Sequence, residues 1–303
     1  MRVLITEDFH PILEDELKRL GLAVTILPKI DYQGVCEIVE EFEILIVNSK
    51  IRIDQNLLSK AKSLKIVGRI GSGRDIFDEE ACRASGIITI TTPEGNANAV
   101  AEHILGFILS TYNNISKSHL SILKGEWSRE ENRGRELNGK TLAIIGFGHN
   151  GQRLAELLEG FDVHVLANDM LPIQSSLPNV SSASMQEIYS QADIVSLHLP
   201  LTRSTIGFAS HEFFDSFQNQ IDFVNCSRGK VAPWKPILDN LQSSKMRTAM
   251  LDVFEDEPFI LSDEILTYSK QNRLFLTPHI AGWTVESRLK LAQQMASKIK
   301  KYL

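Results

Sequence analysis

The chain has 303 residues, of which 43% are hydrophobic and 23% are charged, and its formal net charge is -6. This length predicts about two domains. The acidic balance and the lack of a long basic run argue against a nucleic-acid partner.

The hydrophobic runs and the cysteines argue against a membrane or secreted protein. The longest apolar runs, such as "ILGFIL", fall well below the ~20 residues that a membrane-spanning helix needs, and the first residues lack the features of a secretory signal. Cys36, Cys82 and Cys226 are far apart and form no metal-binding motif. We therefore expect a cytoplasmic protein with reduced thiols, no metal site and no membrane partner.

Short strand-like runs alternate with helical patterns along nearly the whole chain. The first series of predicted strands is "RVLIT", "AVTIL", "EILIVN", "KIVGRI" and "IITIT". A long helical stretch follows, from Asn98 to about Ser118. The second series is "TLAIIG", "VHVLAN", "DIVSLHL", "IDFVNC", "RTAMLDV" and "RLFLTP". Several runs are apolar on both faces, which predicts an α/β fold with two doubly wound, Rossmann-like parallel-sheet domains.

The last predicted helix runs from Val285 to Lys300. Its apolar stripe consists of Val285, Leu289, Ala292, Ala296 and Ile299. Such a stripe needs a surface to bury against, but the pattern does not say which domain supplies it.

The loop "GFGHNG" has the glycine spacing of a dinucleotide-binding turn. Gly146 would permit the tight turn, Gly148 would let a pyrophosphate approach the backbone, and Gly151 would let the helix pack on the strand. A strand precedes the loop and a helix follows it, which is the context the motif requires. A glycine turn of this kind is also common in other α/β proteins.

An acid at the end of the next strand supports the dinucleotide interpretation. "VHVLAND" ends at Asp169, near the spacing expected for the residue that binds the adenosine ribose. Its carboxylate would repel a 2′-phosphate, and no Arg follows in "DMLPIQ". The sequence therefore favours NAD over NADP.

Three further segments end strands of the second series and carry groups suited to hydroxy-acid chemistry. Ligands of open parallel sheets lie beyond the carboxyl ends of the strands, so Arg228, Glu257 and His279 are expected to face one crevice. Histidine exchanges protons near neutral pH, a carboxylate fixes its tautomer, and the arginine fork matches a substrate carboxylate. Each residue alone has a common structural explanation, such as a surface salt bridge.

Seven other histidines compete with His279 for a functional role, and two of them lie in recognisable motifs. His103, in "VAEHILGFIL", is expected to be a core or subunit-contact residue. His198, in "SLHLP", ends a strand and is expected to line the cofactor crevice without titrating usefully.

Taken together, the motifs resemble the D-2-hydroxy acid dehydrogenase family, particularly its D-3-phosphoglycerate dehydrogenase branch. The matching segments are "GRIGSGRDIFD", "NANAVAEHILGFIL", "GFGHNG" with Asp169, "SLHLPLT", "NCSRG", "LDVFEDEP" and "TPHIAGWT". The resemblance implies a discontinuous, flavodoxin-like substrate domain of residues 1–97 plus 286–303, which would supply the surface for the last helix. It implies an NAD-binding Rossmann domain of residues 98–285.

The resemblance also implies roles for individual residues. His279 would be the acid/base, Glu257 its partner, Arg228 the substrate anchor and Asp252 the partner of the nicotinamide amide. The predicted cofactor contacts are Gly146, Gly148, His149, Asn150, Gly151, Asp169, His198, Leu199, Pro200, Thr205, Cys226, Ser227, Asp252 and Gly282. The predicted substrate contacts are Ser49, Lys50, Gly71, Ser72, Gly73 and Arg228, with backbone N–H groups of residues 71–73 binding the substrate carboxylate. The helix around Ala99 to Thr111 would form a homodimer interface.

The implied activity is NAD-dependent oxidation of a D-2-hydroxy acid, with 3-phosphoglycerate as the leading substrate and serine biosynthesis as the setting. Where phosphoglycerate enzymes tend to carry Arg-Ser-x-Thr, this chain has "NSKI", so Lys50, helped by Arg69 or Arg74, would have to meet the phosphate. No carboxyl-terminal regulatory domain is expected. The alternatives are a reductase of hydroxypyruvate, glyoxylate or 2-oxoglutarate, and an NAD-sensing corepressor-like binding protein.

Overall fold

The computed structural model describes residues 1–303 and divides the chain into two compact units. The first unit consists of Met1–Asn96 and Trp283–Leu303, and the second of Ala97–Gly282. Strands and helices are numbered below in chain order over both units.

The first unit is built on a five-stranded parallel sheet. The strand order is β2-β1-β3-β4-β5, which is the order of flavodoxin-like folds. The strands are β1 (Arg2–Ile5), β2 (Ala23–Ile26), β3 (Ile44–Val47), β4 (Ile66–Arg69) and β5 (Ile88–Thr91). The helices are α1 (Ile12–Arg19), α2 (Tyr32–Ile38), α3 (Gln55–Lys60), α4 (Glu79–Ala84) and α12 (Val285–Lys300), with a short 3-10 turn at Val39–Glu41.

Aspartate caps start three of these helices. Asp31, Asp54 and Asp78 each accept a hydrogen bond from a first-turn backbone N–H of α2, α3 and α4. A cap of this kind satisfies a donor that the helix itself leaves unpaired.

Helix α12 buries one face on the first unit. Its bounds are those predicted, and Ala292, Met295 and Ile299 pack into the same core cluster as Leu13 and Leu17 of α1. The predicted stripe is wrong at its first member, because the side chain of Val285 is exposed. Val285 is the first residue of the helix, directly after the Thr284 cap, and the buried apolar residues of α12 begin only at Ala292.

The second unit is built on a seven-stranded parallel sheet in the order β12-β11-β10-β9-β6-β7-β8. The strands are β6 (Thr141–Ile145), β7 (His164–Asn168), β8 (Val180–Ser182), β9 (Ile194–Leu197), β10 (Ile221–Asn225), β11 (Met246–Leu251) and β12 (Leu274–Leu276). The helices are α5 (Ala97–Tyr112), α6 (Ile115–Leu123), α7 (His149–Leu158), α8 (Met185–Gln191), α9 (His211–Asp215), α10 (Trp234–Gln242) and α11 (Asp263–Lys270), with 3-10 turns at Glu159–Phe161 and Gly229–Val231. Both sheets are entirely parallel, so the predicted fold class is confirmed.

Alternating strand residues serve two cores, one on each face of the second sheet. Ala143 and Ile145 of β6 belong to one cluster, while Leu142 and Ile144 belong to the other. This period of two explains why the strands are apolar throughout.

A buried carboxylate anchors the C-terminal end of α5 to the sheet. Asp222 of β10 is fully buried and accepts hydrogen bonds from Tyr112 Oη at 2.9 Å, Arg135 Nη1 at 3.2 Å and Arg247 Nη1 at 2.7 Å. Burial, with the negative charge of Asp222 nearby, raises the pKa of Tyr112. The buried charge is thus compensated by two guanidinium groups.

The single long helix expected from Asn98 to Ser118 is two helices. Asn114 adopts a left-handed backbone (φ 50°) between α5 and α6, and this ends the helical path. Asparagine tolerates that conformation better than most residues, so the break has a local cause.

No helix of the protein combines the length and the apolar composition that a membrane span requires.

Candidate active site

The second sheet reverses its strand order beside β6. This strand pairs with β7 on one side and with β9 on the other, while the chain runs from β6 to β7 first. Ligands of doubly wound sheets bind at such a switch point, outside the carboxyl ends of the strands. The predicted cofactor residues follow β6, β7, β9, β10, β11 and β12 at that edge.

The glycines of the loop after β6 have three different environments. Gly146 has φ +96°, and a Cβ there would lie 2.7 Å from the carbonyl oxygen of His198. A Cβ on Gly151 would lie 2.6 Å from the carbonyl oxygen of Gly146 and 2.8 Å from Ile144 Cγ2. A Cβ on Gly148, in contrast, would meet nothing within 4 Å. The loop is therefore closely packed at Gly146 and Gly151, whereas the space beside Gly148 is open.

Helix α7 starts with His149 and Asn150, and no side chain caps it. Its N-cap residue is Gly148, whereas Asp31 and Ser184 cap α2 and α8 with side-chain oxygens. An uncapped N-terminus presents backbone N–H groups and the positive end of the helix dipole to an anion. The open space at Gly148 and this uncapped start fit a dinucleotide pyrophosphate.

Asp169 directly follows β7 and is tied to the glycine loop. Its Oδ2 accepts the backbone N–H of Phe147 at 2.6 Å, and its Oδ1 accepts that of Leu171 at 2.9 Å. A carboxylate has about four acceptor positions, so acceptor capacity for ribose hydroxyls is left. The ribose contact stays a prediction.

His198 follows β9 and is held by Ser196, whose hydroxyl lies 2.9 Å from His198 Nε2. Burial lowers the pKa of His198 to about 4. The imidazole is therefore neutral near pH 7, as expected for a residue that lines a site without titrating in it.

The other predicted cofactor residues lie in the loops after β9, β10 and β12. Thr205 Oγ1 donates to the carbonyl of Pro200 at 2.6 Å, and Ser227 Oγ donates to Asn225 Oδ1 at 2.7 Å. Burial and the nearby charge of Asp252 raise the pKa of the Cys226 thiol well above its usual range, so this group stays protonated. Leu199 packs at the margin of a core cluster, and Gly282 ends the second unit.

His279 and Glu257 form a direct pair. His279 Nδ1 lies 2.6 Å from Glu257 Oε2, and Glu257 Oε1 accepts the backbone N–H of Phe254 at 3.0 Å. Both side chains remain partly exposed. Since Nδ1 is engaged by the carboxylate, Nε2 is the nitrogen left for an incoming group.

The backbone around the pair is unusual. His279 has a left-handed conformation (φ 56°), and the bond between Glu257 and Pro258 is cis. Non-glycine residues with positive φ are uncommon and often belong to functional sites.

The loop that carries Arg228 is pressed against the loop that leads to Glu257. Arg228 follows β10, the neighbour of β11, and its Nη1 donates to the carbonyl of Ser227 at 2.7 Å. A Cβ on Gly229 would lie 1.8 Å from the carbonyl carbon of Phe254, so only glycine fits there. The three predicted catalytic residues thus follow three adjacent strands, β10, β11 and β12.

Asp252 is fully buried, and most acceptor positions of its carboxylate are used by hydrogen bonds within the protein. Its Oδ1 accepts Thr277 Oγ1 at 2.6 Å and the Ile280 N–H at 2.8 Å. Its Oδ2 accepts the Ala281 N–H at 2.8 Å. The contact with the nicotinamide amide stays a prediction. The carboxylate has about one acceptor position left for it.

The predicted substrate residues follow strands of the first unit. Three backbone N–H groups, those of residues 71–73, were expected to bind a substrate carboxylate. The N–H of Gly71 instead donates to Thr92 Oγ1 at 3.1 Å, so the prediction now concerns only the N–H groups of Ser72 and Gly73. Ser49 and Lys50 are exposed after β3, and Lys50 Nζ lies 3.5 Å from the carbonyl of Pro28.

Two polar residues that follow strands, one in each unit, were not anticipated from the sequence. Glu7, after β1, is buried and accepts the N–H of Asn48 at 2.8 Å. Thr277, after β12, bonds to Asp252 and lies 3.0 Å from His103 Nε2. A polar residue just after an apolar strand is the only sequence signal that points to Glu7 and Thr277.

Residues 105–281 match the family model described as D-isomer specific 2-hydroxyacid dehydrogenase, NAD binding domain. That model covers more than half of the chain and includes all three predicted catalytic residues. The second unit therefore carries the NAD-binding domain of this family.

Curated relatives match over nearly the whole chain. D-3-phosphoglycerate dehydrogenase of Methanocaldococcus jannaschii is 30% identical over 306 residues, covering 100% of this chain and 57% of that protein. Hydroxypyruvate reductase of Thermotoga maritima is 32% identical over 275 residues, covering 90% of this chain and 89% of that protein. The chain spans little more than half the length of the phosphoglycerate dehydrogenases it matches.

A solved structure agrees with this assignment. D-lactate dehydrogenase of Aquifex aeolicus, complexed with NAD and lactic acid, superposes with a TM-score of 0.87 at 26% identity, covering 100% of this chain and 95% of that chain. The fold, the matched family model and the relatives agree: the chain belongs to the D-isomer specific 2-hydroxyacid dehydrogenase family.

Proposed function

We propose that the protein is an NAD-dependent dehydrogenase that interconverts a D-2-hydroxy acid and the corresponding 2-oxo acid. The observation that carries this proposal is the 2.6 Å contact between His279 Nδ1 and Glu257 Oε2. A carboxylate in this position fixes the imidazole tautomer and leaves Nε2 free to exchange a proton with the substrate.

The residues of this chain divide the reaction between them. His279 gives a proton from Nε2 to the oxygen of the 2-oxo group, and takes it back in the reverse direction. Arg228 binds the substrate carboxylate and the reacting oxygen through its planar fork. The loop of residues 146–151 and the start of α7 would hold the pyrophosphate, and Asp169 would accept ribose hydroxyls. NADH, when bound, supplies the hydride.

We propose that the substrate of this chemistry is either a phosphorylated or an unphosphorylated 2-oxo acid. The leading one is 3-phosphohydroxypyruvate, formed from 3-phosphoglycerate in serine biosynthesis, and it is supported by the phosphoglycerate dehydrogenase relatives and by the exposed Lys50.

An unphosphorylated acid, such as hydroxypyruvate or glyoxylate, is supported by the charges at the end of the first sheet. Arg69 pairs with Asp75 at 2.9 Å and Arg74 pairs with Glu79 at 2.6 Å, so both cations expected to help with a phosphate have acidic neighbours. The buried Glu7 adds negative charge beside Asn48. A doubly charged phosphate gains little in such surroundings.

A panel of 2-oxo acids assayed with NADH tests the activity and separates the substrates. The expected result is NADH oxidation with at least one acid and a product of D configuration, with kcat/KM compared between 3-phosphohydroxypyruvate, hydroxypyruvate, glyoxylate and 2-oxoglutarate. Saturable NADH binding without turnover of any acid would contradict the enzymatic proposal and support a cofactor-binding role.

We also propose that the protein is a cytoplasmic homodimer. The three cysteines are free, as in proteins of a reducing compartment. Helix α6 has no buried residue. Its last residue, Leu123, is 69% exposed, and Trp127, which follows the helix, is 81% exposed. An exposed apolar surface of this kind is typical of a subunit contact, and it continues from the α5 region where the interface was predicted.

A further inference from the structure

The segment Thr277 to Ala281, called here the histidine loop, is held mainly by one residue. Backbone N–H groups of Ile280 and Ala281 donate to the Asp252 carboxylate, and the N–H of His279 donates to the Asp252 carbonyl at 2.8 Å. The backbone N–H of Thr277 donates to the carbonyl oxygen of Leu251 at 3.0 Å. The left-handed conformation of His279 is therefore imposed by bonds on both sides of it.

Thr277 is the only side chain of the histidine loop that bonds to the Asp252 carboxylate. Its Oγ1 donates to Oδ1 at 2.6 Å. Because a carboxylate accepts and a hydroxyl has a single proton, the lone pairs of Thr277 Oγ1 remain available to a donor. That donor is His103 Nε2, 3.0 Å away.

His103 reaches this position from α5. Its ring packs edge-on against Phe107, one turn along the helix, with ring centroids 4.6 Å apart. Burial lowers the pKa of His103, and the nearby Asp252 only partly opposes this effect. The neutral ring then carries its proton on Nε2, since the Thr277 oxygen has no proton left to offer it.

We propose that His103 and Thr277 are positioning residues that act through Asp252 to fix the histidine loop. The imidazole of His103 orients the Thr277 hydroxyl, the hydroxyl orients the Asp252 carboxylate, and the carboxylate holds the backbone on either side of His279. Neither residue touches the reacting atoms. This inference rests on the proposed function for its effect on turnover, but its effect on the loop does not.

Two pairs of variants test the proposal. Thr277→Val keeps the shape and removes the hydroxyl, while Thr277→Ser keeps the hydroxyl. His103→Leu removes the donor, while His103→Gln keeps an N–H at similar reach. His164→Gln is the matched control, because His164 is an exposed histidine at the start of β7 in the same unit.

In Thr277→Val and His103→Leu, kcat with the best 2-oxo acid is expected to fall about tenfold or more, since small displacements of a catalytic group cost rates of that order. The dissociation constant of NADH should stay within about twofold, and amide hydrogen exchange at residues 279–281 should accelerate about tenfold. Thr277→Ser and His103→Gln should restore most of both losses. A purely global loss of stability would not be confined to these amides.

Unchanged exchange and an unchanged kcat in Thr277→Val and His103→Leu would overturn the proposal. A loss of NADH affinity that matches the loss of kcat, with unchanged exchange, would overturn it as well, because it would mean that these residues serve the cofactor. If the wild-type protein turns over no 2-oxo acid, the proposed function fails and the exchange measurements still decide the positioning role. If Thr277→Val does not fold, the two His103 variants decide it.

Discussion

His279 combines a constrained backbone with a directed side chain. The Glu257 carboxylate engages Nδ1, and the Asp252 carbonyl and carboxylate engage the N–H groups of the loop that carries the residue. Placement of the imidazole thus depends on contacts that do not involve a substrate. Such preorganisation lowers the cost of reaching the reactive geometry.

Asp169 is predicted to set both the affinity and the choice of nucleotide. In Asp169→Ala, the affinity for NADH should fall about tenfold, and the preference for NADH over NADPH should fall by a similar factor, since each is worth roughly one charge-assisted hydrogen bond. Fluorescence titration with both nucleotides measures this, with the exposed Asp215→Ala as control. An unchanged preference would move the ribose contact to another residue.

His198 is predicted to make stability depend on pH. Its pKa in the folded protein is about 4, whereas a histidine in an unfolded chain has a pKa near 6.5, so between these pH values the unfolded chain binds the extra proton. The contribution of His198 to the free energy of unfolding is therefore fully present above pH 6.5. It is lost as the pH drops toward 4, by up to about 3 kcal/mol.

Urea unfolding at a series of pH values measures this effect. The fall in unfolding free energy should be smaller in His198→Gln, which lacks the titrating group, than in the wild type or in His164→Gln. Equal pH dependence in all three proteins would show that His198 is accessible to protons in the folded state.

Among the strands and loops, close backbone approach brings together two of the segments that carry the proposed catalytic residues. Gly229 lies against the Phe254 carbonyl, so the Arg228 loop and the Glu257 loop share one contact surface. The side chains of both loops depend on this contact for their relative position.

Gly229→Ala is predicted to disrupt that contact. The added Cβ would overlap the Phe254 backbone, so the free energy of unfolding should fall by about 3 kcal/mol or more, and kcat should fall with it. Gly160→Ala is the matched control, because a Cβ there meets nothing within 4 Å. Wild-type stability in Gly229→Ala would mean that the two loops are free to move apart.

Elements with a repeated hydrophobic pattern were predictable from the sequence. Features that depend on one or a few residues without such a pattern were not. The apolar strands and the bounds of α12 were predicted correctly, because each of these elements carries a repeated hydrophobic pattern. Strand β8, "VSS", was missed because its residues are mostly polar and it lies at the sheet edge. The break at Asn114 was missed because one left-handed residue leaves no periodic signal.

Some contacts of the candidate site were predictable from the order of the strands, and others were not. The contact between His279 and Glu257 follows from strand ends that meet at one edge of a parallel sheet. The link from His103 to Thr277 joins residues 174 positions apart, so no local pattern could predict it. His103 was expected to be a core or subunit-contact residue, and its bond to Thr277 shows that it also contacts the histidine loop.

At the scale of the whole molecule, α6 and the segment after it present an apolar surface. We predict that the wild-type protein is a dimer and that Leu123→Glu weakens association at least about a hundredfold, because a charge would be buried without a partner. Sedimentation equilibrium measures this, with Gln191→Glu on the exposed side of α8 as control. A monomeric wild-type protein would exclude the proposed interface.

We propose that this protein reduces a 2-oxo acid with His279 as the proton donor. The most direct measurement is steady-state turnover of the His279→Gln variant, combined with fluorescence titration of NADH. We predict that kcat falls about 10²–10⁴-fold, the usual contribution of a general acid, while the dissociation constant of NADH stays within a few-fold of the wild-type value. A variant that keeps a kcat close to that of the wild type would contradict the account.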